Sequence, residues 1–429
     1  MTRINYENFI DLKYKPKETD VICQYRLTPA KGFSFEEVAS ISAGESSVGT
    51  WTDVHTMKPE IRKKLSPKVF YLDKKNRIAR IAYPIELFEL GNLPEILSSV
   101  GGNIYGMKSV TELFWEDVEI PKKMLDSFKG PRYGIEGLRK MMKNSNRPFV
   151  GTIIKPKIGL SSEEHAQSAY ESWIGGCDFV KDDENLTSQD FNKFKKRFIE
   201  TTKLRKKAEK ETGEVKAYMV NCTAEAQEMI KRIKFVEANG GNYIMLDILT
   251  LGWSALQTAR NVTKLPIHAH RAGHAMLDRF NSPKNKGFGM SMEVIAQFAR
   301  MIGVDTLHIG TAVGKMEGGK KEIKHIEEEI EDRATPRTKE NLKQNWGKIK
   351  PVLAVASGGV HPALVPAIIK IMGKDVTIQA GGGIHGHPDG TIAGAKAMRQ
   401  AVEASLKKIS LGEYAKTHPE LKKALQKWE

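Results

Sequence analysis

The chain has 429 residues, 40% of them hydrophobic, and a formal net charge of +15. That length and apolar share support a large core and two domains, and no apolar stretch approaches the ~20 residues needed to cross a bilayer. The start, MTRINYENFIDLKYKPKE, lacks the apolar segment of a signal peptide, and Cys23, Cys177 and Cys222 are odd in number and in no metal-type spacing. A cytoplasmic protein with structural thiols and no membrane partner is expected. The basic excess lies largely in mixed runs such as FKKRFIETTKLRKKAEKETGEVK, where interleaved acids suggest a solvated helix face and not a nucleic-acid stripe. A positive field would still favour an anionic small substrate.

In chain order, residues 20–120 predict strand DVICQYRL, helix SFEEVASISAG, strands KVFYL and RIARIAYP about a DKKN turn, helix LPEILSSVGG and strand VTELFWEDVEI. That is the order of a ferredoxin-like α+β unit, placed at residues 1–130. From 131 to 429 short apolar strands alternate with amphipathic helices. The strands are FVGTII, CDFVK, AYMVN, YIMLD, PIHAH, TLHIG, LAVAS and VTIQA. Eight such units predict a C-terminal TIM (β/α)8 barrel, with a doubly wound open sheet as the alternative.

Barrel enzymes do their chemistry at the carboxyl ends of the strands. Here the first strand ends in Lys155 and Lys157, and the second in Lys181, Asp183 and Glu184. The fifth ends in His270 and Arg271, the sixth in His308 and a Gly-rich run to Lys315, the seventh in Ser357, Gly358 and Gly359, and the eighth in Gly381, Gly382 and Gly383. One lysine or one glycine run alone would be a charged turn or a loop; six polar or glycine-rich endings of eight are hard to obtain from solvation. Crowded carboxylates call for a hard cation such as Mg²⁺, although the ammonium of Lys181 cannot ligate one. Backbone N–H groups of the late glycines can approach a phosphate, and Arg271, His308 and Ser357 can hold another. Two anion sites about a carboxylate centre describe a sugar bisphosphate.

The motifs GTIIKPKIGL, GGCDFVKDDEN, HAHRAGHA, LHIGTAVGKMEG, ASGGVH and QAGGGIHGHPDG, with GESSVGTWT and GGNIYG earlier, resemble the large subunit of ribulose-1,5-bisphosphate carboxylase/oxygenase, RuBisCO, over nearly the whole chain. The length and the segment KDDENLTSQDFNKF look most like its archaeal form III branch. The resemblance implies that Lys181 is carbamylated by an activating CO₂ and binds Mg²⁺ with Asp183 and Glu184, Asp182 being no ligand. It implies carboxylation of ribulose 1,5-bisphosphate to two 3-phosphoglycerate through a Mg²⁺-bound enediolate, with competing oxygenation by O₂, in archaeal nucleotide (AMP) salvage.

By the same resemblance Lys155, supported by Lys157, handles protons at C2, His270 relays protons, and Lys315 closes over the site and meets the new carboxylate. Thr50, Trp51, Gly359, Gly381 and Gly382 bind one phosphate and Arg271, His308 and Ser357 the other, with Glu45, Asn103, Gly358 and Gln379 also contacting substrate. Glu45, Thr50, Trp51 and Asn103 come from the partner chain, so a homodimer or a ring of dimers is implied, without a small subunit. Ile153 replaces a threonine of plant-type enzymes and Gly273 a common methionine; neither removes a catalytic group. A RuBisCO-like enolase or isomerase acting on a related phosphosugar is the alternative. Such relatives typically lose loop-six or phosphate residues that are present here.

Overall fold

The computed structural model describes residues 8–52, 54–279, 287–311, 313 and 319–428. Its strands run β1 (Val21–Pro29), β2 (Lys68–Asp73), β3 (Ile78–Tyr83) and β4 (Val110–Glu119), then β5 (Phe149–Ile153), β6 (Phe179–Lys181), β7 (Ala217–Asn221), β8 (Tyr243–Asp247) and β9 (Ile267–His270). After these come β10 (Phe288–Met290), β11 (Thr306–His308), the short pair β12 (Ala334–Thr335) and β13 (Gln344–Asn345), then β14 (Leu353–Ser357) and β15 (Val376–Gln379). The chain divides into two compact units.

The first unit comprises Met1–Lys129, Gly273–Met301 and Asp332–Ile349. Its sheet has the order β10-β4-β1-β3-β2, with β4-β1-β3-β2 antiparallel throughout, the ferredoxin-like arrangement expected. Helices Phe35–Glu45 and Leu93–Val100 connect its strands. Ser34 starts the former with a capping box, its hydroxyl accepting from Glu37 N while the Glu37 carboxylate accepts from Ser34 N, which satisfies two otherwise orphaned donors. The sequence pattern did not disclose β10, three residues that pair in parallel with β4, nor that 273–301 and 332–349 belong with this unit. The apolar reason is visible in Phe298, which meets the buried Trp115 edge-on at 5.5 Å.

The second unit, Gly130–Ala272, Ile302–Glu331 and Lys350–Glu429, holds a closed parallel barrel of order β11-β14-β15-β5-β6-β7-β8-β9. Each of the eight predicted strands is present. Buried Phe149, Phe179, Met219, Tyr243 and Met245 fill part of its interior, as a packed barrel requires. Parallel register sets Ile153 beside Lys181, Asp247 beside His270, and Ser357 beside Gln379. All these polar residues are therefore delivered to the same end of the barrel. No helix of the described residues is long and apolar enough to cross a membrane.

Candidate active site

Lys181 closes β6 with a side chain sealed from solvent. Its Nζ donates to the Asp182 carbonyl at 2.8 Å and lies 3.7 Å from Glu184 Oε2. Burial, which disfavours the charged form, pulls its basicity below the ordinary lysine value, although Glu184, Asp183 and Asp247 oppose that. Lys155 donates to Asp183 Oδ2 at 2.7 Å and Lys157 to Glu184 Oε1 at 3.2 Å. Burial alone would raise the Glu184 carboxyl, but Lys181, His270 and Lys157 outweigh it and hold it at about 2. Both acids expected to bind the metal are thus already faced by ammonium groups.

Asp182 points elsewhere. Its carboxylate is buried against Arg197 at 3.1 Å, accepts from Tyr218 Oη at 2.6 Å and Asn221 N at 3.0 Å, and has His165 Nε2 at 3.0 Å. One acid of the KDDE run therefore anchors the chain while its two successors face the lysines. Asn221, at the end of β7, donates from Nδ2 to the carbonyls of Asp183, Glu184 and Leu186 at 3.1–3.4 Å, holding that segment from behind. At the end of β8, Asp247 Oδ1 sits 2.6 Å from His270 Nδ1. This fixes the ring and leaves its Nε2 3.6 Å from Glu184 Oε2.

His308, ending β11, shares a 2.6 Å hydrogen bond between its Nδ1 and Ser357 Oγ and packs on the His270 ring at 4.9 Å. Its Nε2 is buried without a partner among the described residues, and burial pushes its basicity well down. Arg271, next to His270 in sequence, is buried, and a Cβ at Gly310 would come within 2.7 Å of Arg271 Nη2, so that glycine gives the guanidinium room. Across the barrel a Cβ at Gly381 would meet Lys155 Cε at 2.8 Å. Gly358 and Gly359 follow β14, and Gly381 and Gly382 begin the short helix Gly382–His385. Gln379 is buried with neither amide atom partnered among the described residues. His385, joined to Thr152 Oγ1 at 3.1 Å, is held near 4 by burial and Lys155.

In the first unit, Asn103 Nδ2 contacts Glu45 Oε1 at 3.4 Å, Thr50 is half-buried, and Trp51 is 60% exposed. Lys315 lies outside the described residues. Asp247 and Asn221 were missed by the strand-end argument, yet each is the last residue of a recognised strand.

Comparison with known proteins decides the family. Residues 8–124 match the ribulose bisphosphate carboxylase large chain, N-terminal domain, and residues 134–428 its catalytic domain. The chain belongs to the ribulose bisphosphate carboxylase large-chain family. As a RuBisCO large chain of archaeal type it is an enzyme, a carboxylase. It is 50% identical to the ribulose bisphosphate carboxylase of Methanocaldococcus jannaschii over 432 residues, covering 98% of this chain and 100% of that one. The Methanosarcina mazei carboxylase is 49% identical over 427 residues, covering 98% and 99%. The dimeric archaeal RuBisCO of Hyperthermus butylicus superposes with a TM-score of 0.92 at 46% identity, covering 98% of each chain. The octameric RuBisCO of Pyrococcus horikoshii, solved with sulfate, gives 0.90 at 45% identity, covering 100% of this chain and 99% of that one.

Proposed function

We propose that this carboxylase joins CO₂ and water to ribulose 1,5-bisphosphate to give two molecules of 3-phosphoglycerate, with O₂ competing, on a centre built at Lys181. The observation that carries the reading is a fully buried lysine of depressed basicity standing 3.7 Å from Glu184. A neutral amine in that position can add to CO₂ and release a proton, leaving an oxygen anion where an ammonium would otherwise stand. Among the described residues no three His, Cys, Asp or Glu side chains gather as a ready-made metal site, and a third oxygen on Lys181 would complete the set with Asp183 and Glu184 for a hard cation. Once CO₂ and Mg²⁺ are bound, they supply an oxygen base for the C3 proton and polarise the C2 carbonyl.

The remaining work falls to the chain's own side chains. Lys155, held 2.7 Å from Asp183, manages the proton at C2 and delivers one to the final carbanion, with Lys157 alongside. His270, oriented by Asp247, passes protons during hydration. Arg271, His308 and Ser357 grip one phosphate, and the His308 Nε2, unpartnered among the described residues, supports that role. Gly358, Gly359, Gly381 and Gly382 offer backbone donors to the other phosphate, with Gln379 contacting the substrate between them. Lys315 meets the charge that develops as CO₂ adds. Thr50, Trp51, Glu45 and Asn103 complete the site of a partner chain, and the exposure of Trp51 supports that assignment. The active unit is then a dimer, alone or in a larger ring, and the bisphosphate derives from nucleotide breakdown. The test is fixation of radiolabelled CO₂ on ribulose bisphosphate with Mg²⁺. Labelled 3-phosphoglycerate is expected, and its absence in protein that still enolises the sugar would overturn the proposal.

A further inference from the structure

Helix Phe194–Thr212, which follows β6, uses its lysines in two ways. At its start Lys193 is paired with Asp190 and Lys196 with Glu163, and Lys195 lies over the Phe235 ring at 5.3 Å. Farther on, Lys203, Lys206 and Lys210 have no ion pair or hydrogen bond among the described residues, and Lys207 has only Glu211 at 3.9 Å and the Tyr170 ring at 4.6 Å. Spacings of three and four residues stack these ammonium groups on one helix face, where like charges destabilise a helix. The first turns follow the solvated-face reading of this basic run, and the later ones depart from it.

The four lysines line a cavity of about 450 Å³ together with Thr202, Asn239 and Ile199, and no acid lines it. Thr202 is only 5% exposed, yet its hydroxyl has no hydrogen-bond partner among the described residues. A buried hydroxyl left unpaired carries a desolvation cost that a ligand would remove. The four ammonium groups can only donate, and the hydroxyl can donate too. The complement is a ligand rich in acceptors that carries several negative charges. Lys203 and Lys210 are seven residues, about 10 Å, apart along the axis, a run too long for one carboxylate. Lysines act as point charges and suit phosphates without fixing their orientation. A single-stranded nucleic acid would want aromatic platforms for its bases, and among the described residues the one ring beneath these lysines, Tyr170, already underlies Lys207.

We propose that this cavity is a second anion site, built from residues other than those at the strand ends, which takes a linear chain of phosphates. The probe is inorganic tripolyphosphate, titrated calorimetrically into the full chain at low salt, with ribulose bisphosphate in excess and neither Mg²⁺ nor CO₂ present. One equivalent should bind per chain and weaken steeply as salt rises. The combined Lys203→Gln, Lys206→Gln and Lys210→Gln variant should lose at least tenfold in affinity while its melting temperature, relieved of like-charge repulsion, does not fall. Lys206→Gln and Thr202→Val alone should each lose severalfold, so the proposal remains testable if the triple variant folds poorly. Adenosine triphosphate should bind within severalfold of tripolyphosphate, and adenosine not at all. Affinity unchanged in these variants, or tripolyphosphate displaced one for one by ribulose bisphosphate, would overturn the site. Random RNA binding more tightly than tripolyphosphate through the same lysines would make the face a nucleic-acid surface and overturn it equally.

Discussion

Lys155 Nζ lies 2.7 Å from Asp183 Oδ2, so an acid expected to ligate a metal is engaged by the residue expected to move protons on the substrate. The ammonium and the cation compete for one carboxylate. Lys155→Met should therefore lower CO₂ fixation by about 10²–10⁴, the usual range for loss of a general acid or base, while Mn²⁺ binding, followed by electron paramagnetic resonance, stays as tight or tightens. Metal binding weakened tenfold or more would mean that Lys155 positions Asp183 and is more than a proton carrier.

Activation should carry the signature of the buried amine. Burial holds Lys181 below its ordinary value of 10.5 against the pull of Glu184, Asp183 and Asp247, and only the neutral amine attacks CO₂. At fixed dissolved CO₂, the rate at which ¹⁴CO₂ becomes trapped should climb with pH and level off short of 10.5. The same depressed basicity is a stability cost, complete below the folded value and relieved as pH rises from there to the unfolded one, because in that window the unfolded chain binds the extra proton. The metal-free protein should thus resist urea better as pH rises through the window. A trapping rate that keeps climbing through 10.5 would mark an ordinary exposed lysine.

Much of this candidate site was legible because barrel topology converts strand ends into a list of candidate residues. Lys181, His270, His308 and Ser357 each end a strand, and register alone brings them to one face. Asn221 and Asp247 end strands too, but a single amide or acid after an apolar run is the commonest kind of turn residue, and only their bonds to the 183–186 carbonyls and to His270 distinguish them. The distinct orientation of Asp182 was not readable from KDDE by spacing; its partners Arg197, Tyr218 and His165 lie up to 36 residues away. Strand β10 escaped for a different reason. Three residues of Phe-Gly-Met give too short a pattern for any period to show.

Site sharing between chains is open to a subunit-mixing test. Glu45→Gln and Lys181→Met should each abolish fixation, the first in the first unit and the second in the barrel. After dissociation and reassembly of a mixture, about half the dimers should be hybrids, each with one site built wholly from intact residues, and activity should return to roughly a quarter of the wild-type value per site if shuffling is random. The exposed Trp51 should lose accessibility to an aqueous fluorescence quencher on dimer formation. No recovery in proven hybrids would place Glu45 at its own barrel.

Asp182 should matter to stability and metal binding although its carboxylate points away from the two acids expected to hold the metal. Burial alone would raise its carboxyl; Arg197, His165 and Tyr218 outweigh that and hold it below the usual carboxylate value. A carboxyl depressed in this way contributes stability above its unfolded value of about 3.9 and loses it as pH falls toward the lower folded value. Asp182→Asn leaves Arg197 buried beside a neutral amide, and breaking a buried pair costs about 3–5 kcal/mol. Tyr218→Phe removes one bond to a charged acceptor and should cost about 1.5–3 kcal/mol. Urea unfolding at neutral pH should give both losses, with the double variant costing less than their sum because the two side chains touch at 2.6 Å. The gap between Asp182→Asn and the unaltered protein should hold down to about pH 4 and narrow below it. Because Asn221 N binds Asp182 while Asn221 Nδ2 holds the carbonyls of Asp183 and Glu184, the same substitution should weaken Mn²⁺ binding at least tenfold. A stable Asp182→Asn protein with unaltered metal affinity would show that the anchor and the two acids after it are independent, and that the order of charges in KDDE carries no mechanical meaning.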